Sequence, residues 1–190
     1  MFPVWLKLIY TAFVCVVVPV YWRRYGAANF LWFSDIALFG TLAALWFESS
    51  LLASTMALAI ILPELVWNVD FFSRLLLGAD LNGLSSYMFD RKISTAVRSL
   101  SLFHVFLPPL LVWMVCRLGY DRRALLVQTL ISTALLPISR YVSTPEENIN
   151  WVFGFGRRRV STPAYLALLI VGFPVLIYLP THLILAFLFE

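Results

Sequence analysis

Three ionisable side chains, Asp35, Glu64 and His104, lie within long apolar runs. Such groups are expensive in that setting, face a bundle interior and often mark a reaction centre. A histidine titrating near neutrality, with a carboxylate to orient it, is the general-base half of an acyl-transfer site. Ser34 and Ser101 add hydroxyls as candidate nucleophiles, Ser101 standing one helical turn before His104. The candidate catalytic set is therefore His104, Asp35, Glu64, Ser34 and Ser101. Asn68, four residues after Glu64, shares its helix face. Together with Arg140, Glu146, Glu147, Asn148, Asn150 and Trp151 it forms the candidate binding set.

Each of these residues also has a plainer reading. Asp35 and Glu64 paired with Arg140, Arg98 or His104 would be static glue between helices. Glu146, Glu147 and Asn148 follow Pro145 and would cap or turn a loop. Asp70 is expected to be solvated near an interface. His182 has no acidic partner at its depth, which disfavours a haem-ligand role.

The elements that must position these groups follow from composition. Of 190 residues, 62% are hydrophobic and 13% charged, with mean hydropathy +0.88. A soluble domain carries about 25% charged residues. The chain reads as an all-α integral membrane protein, one transmembrane domain over 1–190. A bilayer core needs about 20 apolar residues per helix. Six segments qualify, at 4–22, 28–47, 51–72, 95–117, 124–142 and 163–189, forming a bundle with short loops. The first is read as a retained helix, since no small-x-small cleavage site precedes Trp22. The link 73–94 mixes apolar and charged residues and predicts a short interfacial helix.

Counting Lys and Arg sets the orientation. One side carries ten: Arg23, Arg24, Arg74, Arg91, Lys92, Arg98, Arg140, Arg157, Arg158 and Arg159. The other carries Lys7, Arg117, Arg122 and Arg123. The ten-charge side is expected to face the cytoplasm, with both termini outside. Asp35, Glu64, Asn68, His104 and Arg140 all fall in the half of their helices nearest this basic side. That convergence predicts a polar cluster at one depth. Prolines sharpen it. Pro108 and Pro109 free the carbonyls of His104 and Val105, and Pro63 frees that of Ala59. Freed carbonyls in lipid need a neighbour, a water or a cavity. A kinked fourth helix beside a cavity is the expectation.

Other classes of function lack a signal. No phosphate loop, dinucleotide fingerprint or metal spacing appears, and no cofactor is expected. The net charge of +4 belongs to topology and anionic headgroups and not to nucleic acid, since no basic stripe interleaves with aromatics. Cys15 and Cys116 read as buried small apolar residues. The expected partners are membrane lipids, with a protein partner or a second copy as alternatives.

Three stretches resemble a known family. Tyr25-Gly26-Ala27-Ala28-Asn29-Phe30-Leu31-Trp32-Phe33-Ser34-Asp35, then His104-Val105-Phe106-Leu107-Pro108, then Asn150-Trp151-Val152-Phe153 are similar in order and spacing to motifs of the androgen-induced membrane hydrolases. The layout also resembles the bacterial YwaF-like family. The likeness covers about a third of the chain. It implies a six-helix bundle in which an intramembrane Thr and His cleave fatty-acid esters, with His104 carried over as general base. The family's Thr position holds Trp32 here. Ser34 lies two residues on, about 200° around a helix from it. Three readings stay open: an enzyme acting on a lipid or acyl substrate, a non-catalytic accessory or assembly subunit, and a small transporter. No internal repeat supports the last.

Overall fold

The computed structural model describes residues 1–155, 160 and 162–189. Arg157, Arg158 and Arg159 of the basic-side count, and Glu190, lie outside the described residues. The described chain is helical and contains no strand. In order it runs α1 (Val4–Tyr25), a 3-10 turn (Ala27–Leu31), α2 (Phe33–Phe47), α3 (Ser50–Leu77), a 3-10 turn (Ser86–Phe89), α4 (Thr95–Leu100), α5 (Phe103–Leu118) and α6 (Ala124–Val142). A 3-10 turn (Ile149–Trp151), α7 (Pro163–Gly172), a π-helical turn (Phe173–Tyr178) and α8 (Leu179–Phe189) complete it. Five stretches are long and apolar enough to cross a membrane: Val4–Tyr25, Ser50–Leu77, Thr95–Leu118, Ala124–Val142 and Pro163–Phe189. The sixth apolar helix, α2, has only 15 residues.

The central element is α3, which packs against α2, α5, α6 and α8. Its first half explains this. Ala53, Ser54, Thr55, Ala57 and Ala59 are all buried, and small side chains let neighbouring backbones approach closely. At Gly40 of α2, a Cβ would collide with the Met56 side chain of α3, so the glycine sets how near these two helices lie. The outer helices turn large apolar residues outward, among them Trp5, Ile9, Leu126, Leu130, Leu168 and Phe187.

Five sequence expectations change. The second helix starts at Phe33 and not near residue 28, because Asn150 intervenes from across the chain. Its Oδ1 accepts from Phe33 N at 3.0 Å and its Nδ2 donates to Leu31 O at 2.7 Å. It thus serves the carbonyl ending the 3-10 turn and the amide opening α2. The fourth apolar stretch breaks before its prolines. Ser101 and Leu102 have ψ of −5° and −4°, and His104 N and Val105 N bond three residues back. Pro108 and Pro109 are accommodated within α5.

Asp70 is not solvated but fully buried. It accepts from Asn82 N, Ser85 N and Ser85 Oγ at 3.0, 2.8 and 2.6 Å, clamping the 73–94 link. Beyond the end of α3 at Leu77, that link holds only the four-residue 3-10 turn Ser86–Phe89 and folds inward, with Met88 packed against Trp67 and Phe71. Cys15 and Cys116 are exposed free thiols, not buried ones.

Candidate functional site

A cavity of about 300 Å³ lies where α1, α2, α3, α5 and the two inward-folded loops meet. Ligand pockets commonly span about 300–1,000 Å³, largely apolar with a few placed polar groups. Apolar and aromatic side chains dominate this wall. Its polar members include Asp35, Glu64, His104, Ser34, Ser101 and Asn150.

Glu64 and His104 form the core of the site. His104 Nδ1 lies 2.8 Å from both Glu64 oxygens, with side-chain exposures of 5% for Glu64 and 14% for His104. An ionised carboxylate only accepts, so the Nδ1 proton belongs to this bond and Nε2 is left as a base or second donor. The ring stacks on two neighbours, its centroid 4.7 Å from that of Trp67 and 4.1 Å from that of Phe103. The helix break at Ser101–Leu102 places His104 in the first turn of α5. Pro108 cannot bond its carbonyl, and Asn68 Nδ2 does so instead at 2.8 Å, while also donating to Glu64 O at 2.8 Å. Asn68 thus ties together the backbones that carry the two partners. The freed carbonyl predicted from the proline has found its neighbour.

Asp35, in the first turn of α2, lines the same cavity. Its Oδ2 accepts from Asn29 Nδ2 at 3.3 Å, and its Oδ1 has no hydrogen-bond partner. Ser101 Oγ lies 2.6 Å from Tyr21 Oη, and the Tyr87 phenol approaches the same hydroxyl. Burial pushes the Tyr87 phenol well above its ordinary value, so it remains an O–H donor at neutral pH. Ser34 and Trp32 both line the cavity. The helical-wheel argument that separated them fails because Trp32 (φ −57°, ψ 137°) precedes the helix.

Asn150 and Trp151 reach the cavity wall, while the rest of the candidate binding set stays outside it. Arg140 lies over the Phe153 ring at 4.1 Å. Glu147 accepts from Thr144 N at 2.8 Å, Asn148 bonds Gly154 O and Phe153 N, and Glu146 is exposed. These groups shape the loop after α6. That loop carries positive φ at Asn148, Asn150 and Trp151, a conformation that costs non-glycine residues about 1–3 kcal/mol each.

Tyr21, Tyr25, Asn29, Trp67 and Tyr87 belong to the lining but were missed in the sequence. For Tyr21 and Tyr25 the signal was present, as an i, i+4 pair at the end of α1 on the side of Asp35. Among the described residues, no three His, Cys, Asp or Glu side chains are grouped to hold a metal ion. Comparison with protein-family models, curated proteins and solved structures finds no match.

Proposed function

We propose that this chain is a six-span membrane protein, its basic side cytoplasmic and both termini opposite, that takes a lipid or acyl substrate into the cavity. There His104 acts as general base with Glu64 as its orienting partner. The observation that carries the reading is a carboxylate–imidazole pair built into an apolar cavity of about 300 Å³. Apolar walls suit an acyl chain, and the outward-facing leucines and phenylalanines suit lipid as solvent. Glu64 fixes the tautomer, leaving Nε2 to take a proton. Ser34 and Ser101 are the candidate hydroxyls, and the base role of His104 is also what the hydrolase resemblance implies.

A second reading, a lipid-binding accessory subunit without turnover, is favoured by one observation. Ser101 Oγ is engaged by Tyr21, and the hydrogen bonds of the imidazole go to Glu64. Turnover of long-chain acyl esters by purified protein in lipid nanodiscs separates the two. Wild type is expected to turn over, and His104→Ala to lose about 10²–10⁴-fold, the range of general-base catalysis. Equal rates in clean preparations of both reject the catalytic role. Acyl-ester binding without turnover in wild type selects the accessory reading.

A further inference from the structure

The cavity has a charge pattern as well as a shape. Glu64 bonds His104 directly, whereas Asp35 feels that imidazole only through space, and among the described residues no lysine or arginine lines the cavity beside it. Asp35 is 3% exposed, holds the Asn29 amide on Oδ2 and leaves Oδ1 without a partner. Arg24 lies 5.9 Å from the Tyr25 ring but is itself exposed and outside the lining.

The wall is also unusually rich in ring faces. Nine of its twenty-one residues are Phe, Tyr or Trp, including Tyr25, Trp32, Trp67 and Trp151. Aromatic faces carry negative potential and attract cations, most strongly where water is excluded. A phosphate or carboxylate head would enter beside two carboxylates, with no lysine or arginine in the described lining and the one imidazole already bonded to Glu64, a like-charge cost in a poorly screened site. A neutral head would leave Asp35 either protonated or a buried carboxylate without a countercharge. An ammonium head removes both problems, since it donates to Oδ1 and lies against the rings.

We infer that the cavity binds a single-chain amphiphile with a cationic ammonium head, the head held between Asp35 and the aromatic wall and the chain against the apolar one. This rests on the lipid-site reading above and names the class of ligand. It leaves Glu64–His104 as the proton-handling pair and gives Asp35 the separate task of selecting charge.

The test uses the full chain in nanodiscs of zwitterionic lipid, titrated with dodecylammonium, dodecanol and dodecanoate. Binding is read from tryptophan fluorescence, with partition into empty nanodiscs subtracted. Dodecylammonium is expected to bind about tenfold or more tighter than dodecanol, with dodecanoate weakest. Asp35→Asn should bring the ammonium down to the level of the alcohol, closing the gap between the two ligands measured on the same variant. Trp32→Leu, which keeps the carboxylate, should weaken the ammonium severalfold more than the alcohol, and it carries the comparison if Asp35→Asn does not fold. Dodecanol or dodecanoate binding as tightly as the ammonium overturns the inference, as does a preference that survives Asp35→Asn. Dodecanol binding without any head preference sinks this inference alone. If none of the three binds above the empty discs, the lipid site falls with it.

Discussion

At the end of the bundle that holds Met1, the carboxylates of Glu48 and Asp121 each meet a cation. Glu48 accepts from Lys7 Nζ at 2.8 Å and Phe2 N at 3.0 Å, with the terminal ammonium 3.6 Å away. Asp121 takes Arg123 Nη2 at 2.7 Å. Tyr120 Oη lies 2.7 Å from His182 Nδ1. The bond from Lys7 holds the Glu48 carboxyl below its ordinary range, and Arg123 does the same for Asp121. At the cavity end the carboxylates lie deeper and are matched less completely. Glu64 and His104 pair with each other, and among the described residues Asp35 keeps one oxygen without a hydrogen-bond partner. The first end pairs each of Glu48 and Asp121 with a lysine or arginine, from the buried Lys7 to the exposed Arg123. The second keeps charge in a place where folding alone gives no return for it, and that is where function is expected.

The contrast is sharpest at His104. Replacing it by leucine leaves Glu64 buried without a partner, which should destabilise the protein by about 3 kcal/mol. The double variant Glu64→Leu/His104→Leu should recover most of that, because apolar side chains of similar volume replace a buried pair at little cost. Equilibrium unfolding in mixed micelles measures both. A double variant as unstable as the single would make the pair a structural strut, and the two ends would differ only in depth.

A smaller loss is expected for Asn68→Leu. It leaves the His104 carbonyl, freed by Pro108, without a donor, at a cost of about 1–3 kcal/mol. It should also loosen the imidazole, visible as a broadened histidine ring resonance by NMR. An unchanged ring signal would show that Trp67 and Phe103 position the ring unaided.

The smallest effect belongs to Lys7→Met at the opposite end, where partly exposed pairs contribute little. Its signature is in pH. The Glu48 carboxyl is depressed below the ordinary glutamate value of 4.5. Its contribution is therefore fully present above that value and is lost as pH falls through the lower folded-state value. The thermal midpoints of wild type and Lys7→Met should differ at neutral pH and converge in acid. A gap that is constant with pH would assign the effect to packing of the lysine stem instead.

Much of this site was legible in the chain. Glu64, Asn68 and His104 could be placed at one depth by counting along apolar runs, and Pro108 announced a carbonyl in need of a donor. Trp32 and Ser34 were misjudged because a helical wheel assumes a helix, and at that point the chain is still in a turn. Asp70 looked like a solvated interfacial charge because its three donors come from residues 12 and 15 positions later. Tyr87 could not be found by depth at all, since it arrives on a loop.

The amino-acid sequence by itself determined the helices, their apolar outer faces and the depth at which polar groups gather, because hydropathy and the rise per residue are local properties. Tertiary structure alone decided which of those groups face one another. Asn150 capping α2 from 117 residues away, the helix break before His104 and the inward fold of the 73–94 link depend on contacts between distant segments. Periodicity along one helix carries no record of such contacts.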